Sequence, residues 1–240
     1  MKAYKFLARG GTGRFSDFRW PLPADGESGD WVESGGALED CRAGVHACRP
    51  RQLLDWIDDE LWEIELDGEI VEGNAMIVAQ RGRLLARIEA WDHRAAKDFA
   101  DACAWRARDF AFAGLRRLGL TEEAERLVET AELADMQTAA VAAFERSDGG
   151  AAELSGFAAD AVSLVQGRRP EMWGEAVHPG FHKPEQTPGA IAANLAFVVA
   201  HTAGREAALA GTQADYDRGV EAERERQLAW LTERLDLRAG

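Results

Sequence analysis

A change of period near Trp91 constrains this chain more than any other feature. Before it, LWEIEL sets Trp62, Ile64 and Leu66 on one side and Glu63 and Glu65 on the other, the two-residue repeat of a half-buried strand. After it, HRAAKDFADACAWRARDFAFAGLRRLG brings Phe99, Cys103, Ala107 and Phe110 round at helical spacing and stops at Gly119. Strands that come first and helices that follow as a block define an α+β chain. The expected organisation is a small mixed or antiparallel sheet unit over residues 1–92, with an alanine-rich helical bundle over 93–240 packed on it.

Within the first part, KAYKFL reads as a strand, followed by a loop rich in Gly, Pro and Asp as far as Asp40. Phe15, Phe18, Trp20 and Trp31 are spaced too irregularly for a helix, and are expected to pin that loop to the sheet. GVHAC reads as a short strand and RPRQLLDWIDDE as a helix with Pro50 in its first turn, where a missing N–H costs nothing. Asp67-Gly68 and Gly73-Asn74 supply turn chemistry before AMIVAQRGRLLARIEAW, one or two further strands. In the second part, helices are expected from Thr121 to Gly149, and at 151–166, 189–209 and 213–235. A proline-rich loop, GRRPEMWGEAVHPGFHKPEQTPG, separates the second and third of these.

Composition narrows the function classes. The 240 residues carry a net charge of −14, spread over both halves, which disfavours general affinity for nucleic acid. No apolar run is long enough to span a bilayer. The N-terminus has no cleavable apolar stretch, and three cysteines cannot all pair, so reduced thiols and a cytoplasmic location are expected.

The chemistry-bearing residues cluster in CRAGVHACRPR, residues 41–51. Cys41, His46 and Cys48 do not have the spacing of a standard zinc knuckle, and a fourth ligand is missing, so no metal site is expected. Arg42, Arg49 and Arg51 surround the start of the following helix, where unpaired N–H groups favour a phosphate or carboxylate. The same positive setting would lower the pKa of Cys48 or Cys41 and make it reactive. Glu63 and Glu65, one helix later, share a strand face and could divide acid and base roles. In the proline-rich loop, Pro179 and Gly180 interrupt any helical metal motif, which leaves His178 and His182 as residues of a loop over a site. His201, in an apolar helix, reads as a hydrogen-bonded core histidine.

AYKFL, CRAGVHAC and ELWEIELDG together resemble a family of bacterial and phage proteins, and ERERQLAWLTERLDL resembles its actinobacterial branch. That resemblance implies no particular activity. The order YKFL, GVHAC, LWEIEL also resembles that of ADP-ribosyltransferases, with Lys5 standing where those enzymes have Arg or His. This second resemblance implies NAD as cofactor, Lys5 gripping it, His46 near the nicotinamide, and Glu65 or Glu63 as catalytic acid.

The function expected from all this is an enzyme acting on an anionic or nucleotide-like small molecule, with ADP-ribosyl transfer as one form. The alternatives are a protein-binding module that docks through the acidic helical half, notably 213–235, and a zinc-stabilised structural protein.

Overall fold

The computed structural model describes residues 1–13, 16, 18–24, 26–39, 42–168 and 187–237. The fold is α+β: an antiparallel five-stranded sheet followed by helices. The strands are β1 (Lys2–Leu7), β2 (Val32–Glu33), β3 (Val45–Ala47), β4 (Glu60–Glu72) and β5 (Ile77–Arg87). The helices are α1 (His93–Arg117), α2 (Thr121–Val128), α3 (Leu133–Arg146), α4 (Gly149–Val165), α5 (Pro188–Ala207) and α6 (Gln213–Arg234). Among the described residues, no helix is long and apolar enough to cross a membrane.

The chain divides into two compact units, one of Met1–Ala96, Thr187–Ala193 and Leu228–Gly240, the other of Lys97–Gln186 and Asn194–Gln227. The first unit therefore closes four residues beyond the boundary expected at 92, and it also takes in two later segments. One of them is tied down directly, since the Gly189 N–H donates to Asp59 Oδ1 at 3.0 Å. The other supplies the buried Leu231 and Leu235. A sequence period marks where helices begin, but it carries no record of which helix ends return to the sheet unit.

In the first unit, β4 pairs with β1 on one edge and β5 on the other. Its alternation does what the sequence predicts: Trp62, Ile64 and Leu66 are buried, while Glu63 and Glu65 are half-exposed. Asp67-Gly68 does not end the strand as expected. Gly68 takes a φ of +80°, and three β4 steps oppose two on β5 between Asp67 and Ile70, so the turn chemistry builds a bulge inside a 13-residue strand. β2 and β3 pair in turn with successive stretches of β5. Tyr4 of β1 then exchanges two backbone hydrogen bonds with Cys48, at 2.9 and 2.7 Å. The path β1–β4–β5–β3 thus returns to β1, and this part of the sheet is closed on itself.

The residues after β3 form a 3₁₀ turn of six residues, Pro50–Asp55, where a longer helix was expected. Gln52 fixes it: its amide donates to Gly73 O and Asn74 O at 2.9 and 3.0 Å, and its Oε1 accepts from the Arg49 N–H. Trp91 is fully buried, donates to Asp58 O at 2.8 Å, and meets Phe6 edge to face.

The helical unit is built on alanine. Ala111, Leu115, Leu127, Met136, Ala140, Leu154, Ala158 and Val162 form one continuous core. α4 is buried on almost every side, as its near-absence of charge requires. The single helix expected from Thr121 is two, α2 and α3, with Thr130 Oγ1 donating to Leu127 O at the break. Every residue across this break is a tolerable helix former, so propensity gave no sign of it. A buried ion pair joins Arg106 of α1 to Glu223 of α6 at 2.7 Å, and Gln227 donates to the same carboxylate at 3.0 Å.

Glu60 shows how a buried charge can be structural. It accepts from the N–H groups of Gly10 and Gly11 at 2.9 and 3.2 Å and from Trp62 Nε1 at 3.2 Å, which holds the turn after β1 against β4. Glu60→Ala would leave these donors without their acceptor, at an expected cost of about 2–3 kcal/mol. Glu60→Gln keeps one acceptor oxygen and should recover part of that. Urea unfolding of the three proteins checks the order, and equal stability of all three would contradict it.

Candidate functional site

Closing the sheet through Tyr4 and Cys48 fixes what happens to Lys5. In β1, Ala3, Lys5 and Leu7 share a face by the strand period, and Ala3 and Leu7 are 3% and 0% exposed. Lys5 stands opposite Trp62 in the register. A lysine therefore occupies a core-facing position between two residues of the apolar cluster.

Its side chain opens onto a pocket of about 850 Å³ within the first unit. The walls come from β1, from the loop carrying Ser16, Phe18 and Trp20, from Val32–Gly35, and from the stretch Arg42–Cys48, with Trp56 completing them. Gly44 is required where this wall meets β5. Its φ is +125°, and a Cβ there would lie 2.2 Å from Val78 Cγ1.

The Lys5 ammonium donates to His46 O at 2.6 Å and lies 4.7 Å from the centroid of the Trp20 ring. Among the described residues no carboxylate forms an ion pair with it. Burial pulls its pKa down to about 8, against a smaller upward effect of Cys48. Burial also pushes the Cys48 thiol up to about 12. Cys48 is 1% exposed and donates to Tyr4 O at 3.3 Å. The expectation of an activated thiol is therefore corrected: desolvation outweighs the neighbouring positive charge, and Cys48 stays a protonated hydrogen-bond donor. The Tyr4 phenol is raised too, by burial first and then by Glu63 and Cys48.

The other predicted site residues separate. Arg42 lines the pocket with its side chain 81% exposed and only a 3.9 Å approach to Glu39. Arg49 and Arg51 do not join it. Both turn to Glu72, at 3.1 and 3.6 Å, because Gln52 holds the end of the β4–β5 hairpin beside them. The Glu72 carboxyl is held low, by the Arg49 hydrogen bond above all. Glu65 is taken by Arg83 at 2.7 Å, and Arg83 in turn stacks on Trp31. Neither Glu63 nor Glu65 is part of the pocket wall, so the structure does not bring the predicted acid pair to Lys5 and His46. Glu33 is the acid that does line it, and it pairs with Arg81 at 3.6 Å.

His178, His182 and Cys41 lie outside the described residues. Among the described residues, no three His, Cys, Asp or Glu side chains gather as a metal site. His201 is partly buried and meets the Tyr216 hydroxyl through Nδ1; burial, then Arg205 and Arg224, lower its pKa.

Sequence reading missed the aromatic wall. Phe18 and Trp20 were legible as loop anchors, and Trp56 as part of a helix, but nothing in their spacing says that they line one pocket with Lys5. Comparison with family models, with curated proteins and with solved structures gives no match.

The Lys5 shift has a definite sign in stability. Between about pH 8, where the folded group loses its proton, and 10.5, the ordinary value, unfolding takes up a proton. Raising the pH through this window therefore stabilises the fold. Above about pH 9 the buried thiols of Cys48 and Cys103 act in the opposite direction, since both are pushed up to about 12. The Lys5 contribution is thus cleanest between pH 8 and 9. Lys5→Met should be more stable than the wild type at pH 7, with the difference narrowing as the pH rises towards 9. Urea unfolding at half-unit pH steps measures it, and a constant difference would contradict it.

Proposed function

We propose that the sheet unit binds a small molecule that combines a flat ring with an anionic group, in the pocket between β1, the residues Ser16, Phe18 and Trp20, and the Arg42–Cys48 wall. The observation that carries this reading is Lys5, a core-facing cation in an aromatic pocket, with no carboxylate paired to it among the described residues. Burying a charge without a partner is costly, and an anionic ligand supplies the partner. Trp20, Phe18 and Trp56 offer faces for a ring, and Arg42 adds a second cation at the wall. Pockets of this size and lining, mainly apolar with a few convergent polar groups, suit small organic ligands.

Nucleotides and NAD fall within this ligand class. Binding is proposed without ADP-ribosyl transfer, because Glu63 and Glu65 lie outside the wall and Glu33, the acid among its described residues, pairs with Arg81.

Thermal unfolding with AMP, adenosine, inorganic phosphate and NAD tests the reading. AMP carries both ring and anion, and should bind more tightly than adenosine or phosphate alone. At a hundred times its Kd it should add about 2.7 kcal/mol, which for a chain of this size is a rise of roughly 5–10 °C. Lys5→Met should weaken AMP at least tenfold, or about 1.4 kcal/mol. No response to any of the four at millimolar concentration, or equal binding by Lys5→Met, would overturn it.

A further inference from the structure

The chain meets its need for positive charge almost wholly with arginine: of 28 basic residues only Lys2, Lys5, Lys97 and Lys183 are lysines. The cation on the inner face of β1, between Ala3 and Leu7, is nevertheless a lysine. The two side chains do different chemistry. A guanidinium keeps its proton in any protein setting, whereas a desolvated ammonium gives it up and becomes a nucleophilic amine. For charge alone, arginine would serve, and it would offer five donors to an anion.

Three features of the site favour the amine. Among the described residues no carboxylate pairs with Nζ, which donates to the backbone carbonyl of His46. Among the described residues, the charge that acts on it is that of the Cys48 thiol, which is raised and so neutral at pH 7. Lys5 also lines the pocket rather than a closed core, and its Nζ lies 4.7 Å from the ring centroid of Trp20, another residue of the wall.

We infer that Lys5 forms an imine with the carbonyl group of an anionic aldehyde or ketone bound in this pocket. The inference rests on the binding reading above and names the reactive group of its ligand. The Nζ lone pair adds to the carbonyl carbon as the C=O π pair moves to oxygen. The nitrogen's two protons pass to that oxygen, which leaves as water, and C=N forms. No oxidant or second reactant is consumed. In this arrangement Arg42 faces the anionic group and Trp20 the plane of the ligand, while Lys5 meets the carbonyl.

Pyridoxal 5′-phosphate, an aromatic aldehyde bearing a phosphate, is a suitable probe, and pyridoxine 5′-phosphate is the same molecule with an alcohol in place of the aldehyde. The full chain is incubated with each at pH 7, treated with borohydride to reduce any C=N to a stable secondary amine, digested and mapped by mass spectrometry. Lys2 and Lys97, both exposed, are controls within the same molecule. With a folded value near 8 against 10.5 for an ordinary lysine, the free-amine fraction at pH 7 favours Lys5 on the order of a hundredfold. Labelling should therefore concentrate at Lys5 by at least tenfold over Lys2 and Lys97. Lys5→Arg keeps the charge, and should still bind pyridoxine phosphate while losing the adduct. If pyridoxine phosphate binds and Lys5 is labelled no faster than the controls, the imine is overturned and the binding reading stands. If neither compound binds, both are overturned.

Discussion

The pair of backbone hydrogen bonds between Tyr4 and Cys48 is the contact on which the sheet unit depends. Without it, β1 would be an edge strand paired only to β4, and its outer edge would be open to water. With it, β1 is held on both sides, the Arg42–Cys48 stretch becomes a wall, and the inner face of β1 is enclosed. Ala3 and Leu7 gain from this burial. Lys5, between them on the same face, cannot turn away, because a strand offers a side chain only two directions. Its desolvation is a consequence of closure, not of any local motif.

Sequence and structure agree most closely where the physics is local. The alternation of LWEIEL, the helical spacing after His93 and the strand at GVHAC all involve neighbours in the chain, and each appears close to where periodicity puts it. Agreement weakens where distant segments decide. Arg49 and Arg51 looked like an anion site because they stand at the start of a turn, but Gln52 brings Glu72 to them from the end of a hairpin. Glu65 looked free to act as an acid, yet Arg83 from the neighbouring strand holds it. Cys48 looked activated because three arginines lie nearby in sequence. In space it is buried against Tyr4, and burial dominates its titration. Lys5 and His46, placed together by a resemblance of strand order, do meet, but through a backbone carbonyl and without the carboxylate partner that resemblance implies.

What emerges is a pocket in which, among the described residues, Lys5 has no carboxylate partner. Arg49, Arg51, Arg81, Arg83 and Arg87 each have a carboxylate within 4 Å, so their charge is spent on the fold. Lys5 has a carbonyl and an aromatic face, which orient it without neutralising it. Its lowered pKa and the lack of a carboxylate partner among the described residues have one cause, a position chosen by strand period and then sealed by the loops that follow. The helical unit keeps its own buried charge quiet in the opposite way, by pairing Glu223 with both Arg106 and Gln227.

Burial lowers the Lys5 pKa, and among the described residues no carboxylate pairs with it to raise it again. Selective labelling of lysine and NMR titration of its side-chain Cε and Nζ signals, assigned with Lys5→Arg, measures this directly. The expected result is a Lys5 midpoint near pH 8, well below the 10.5 of an ordinary lysine. A Lys5 midpoint at or above 10.5 would mean that the side chain is solvated or paired, and would contradict the claim.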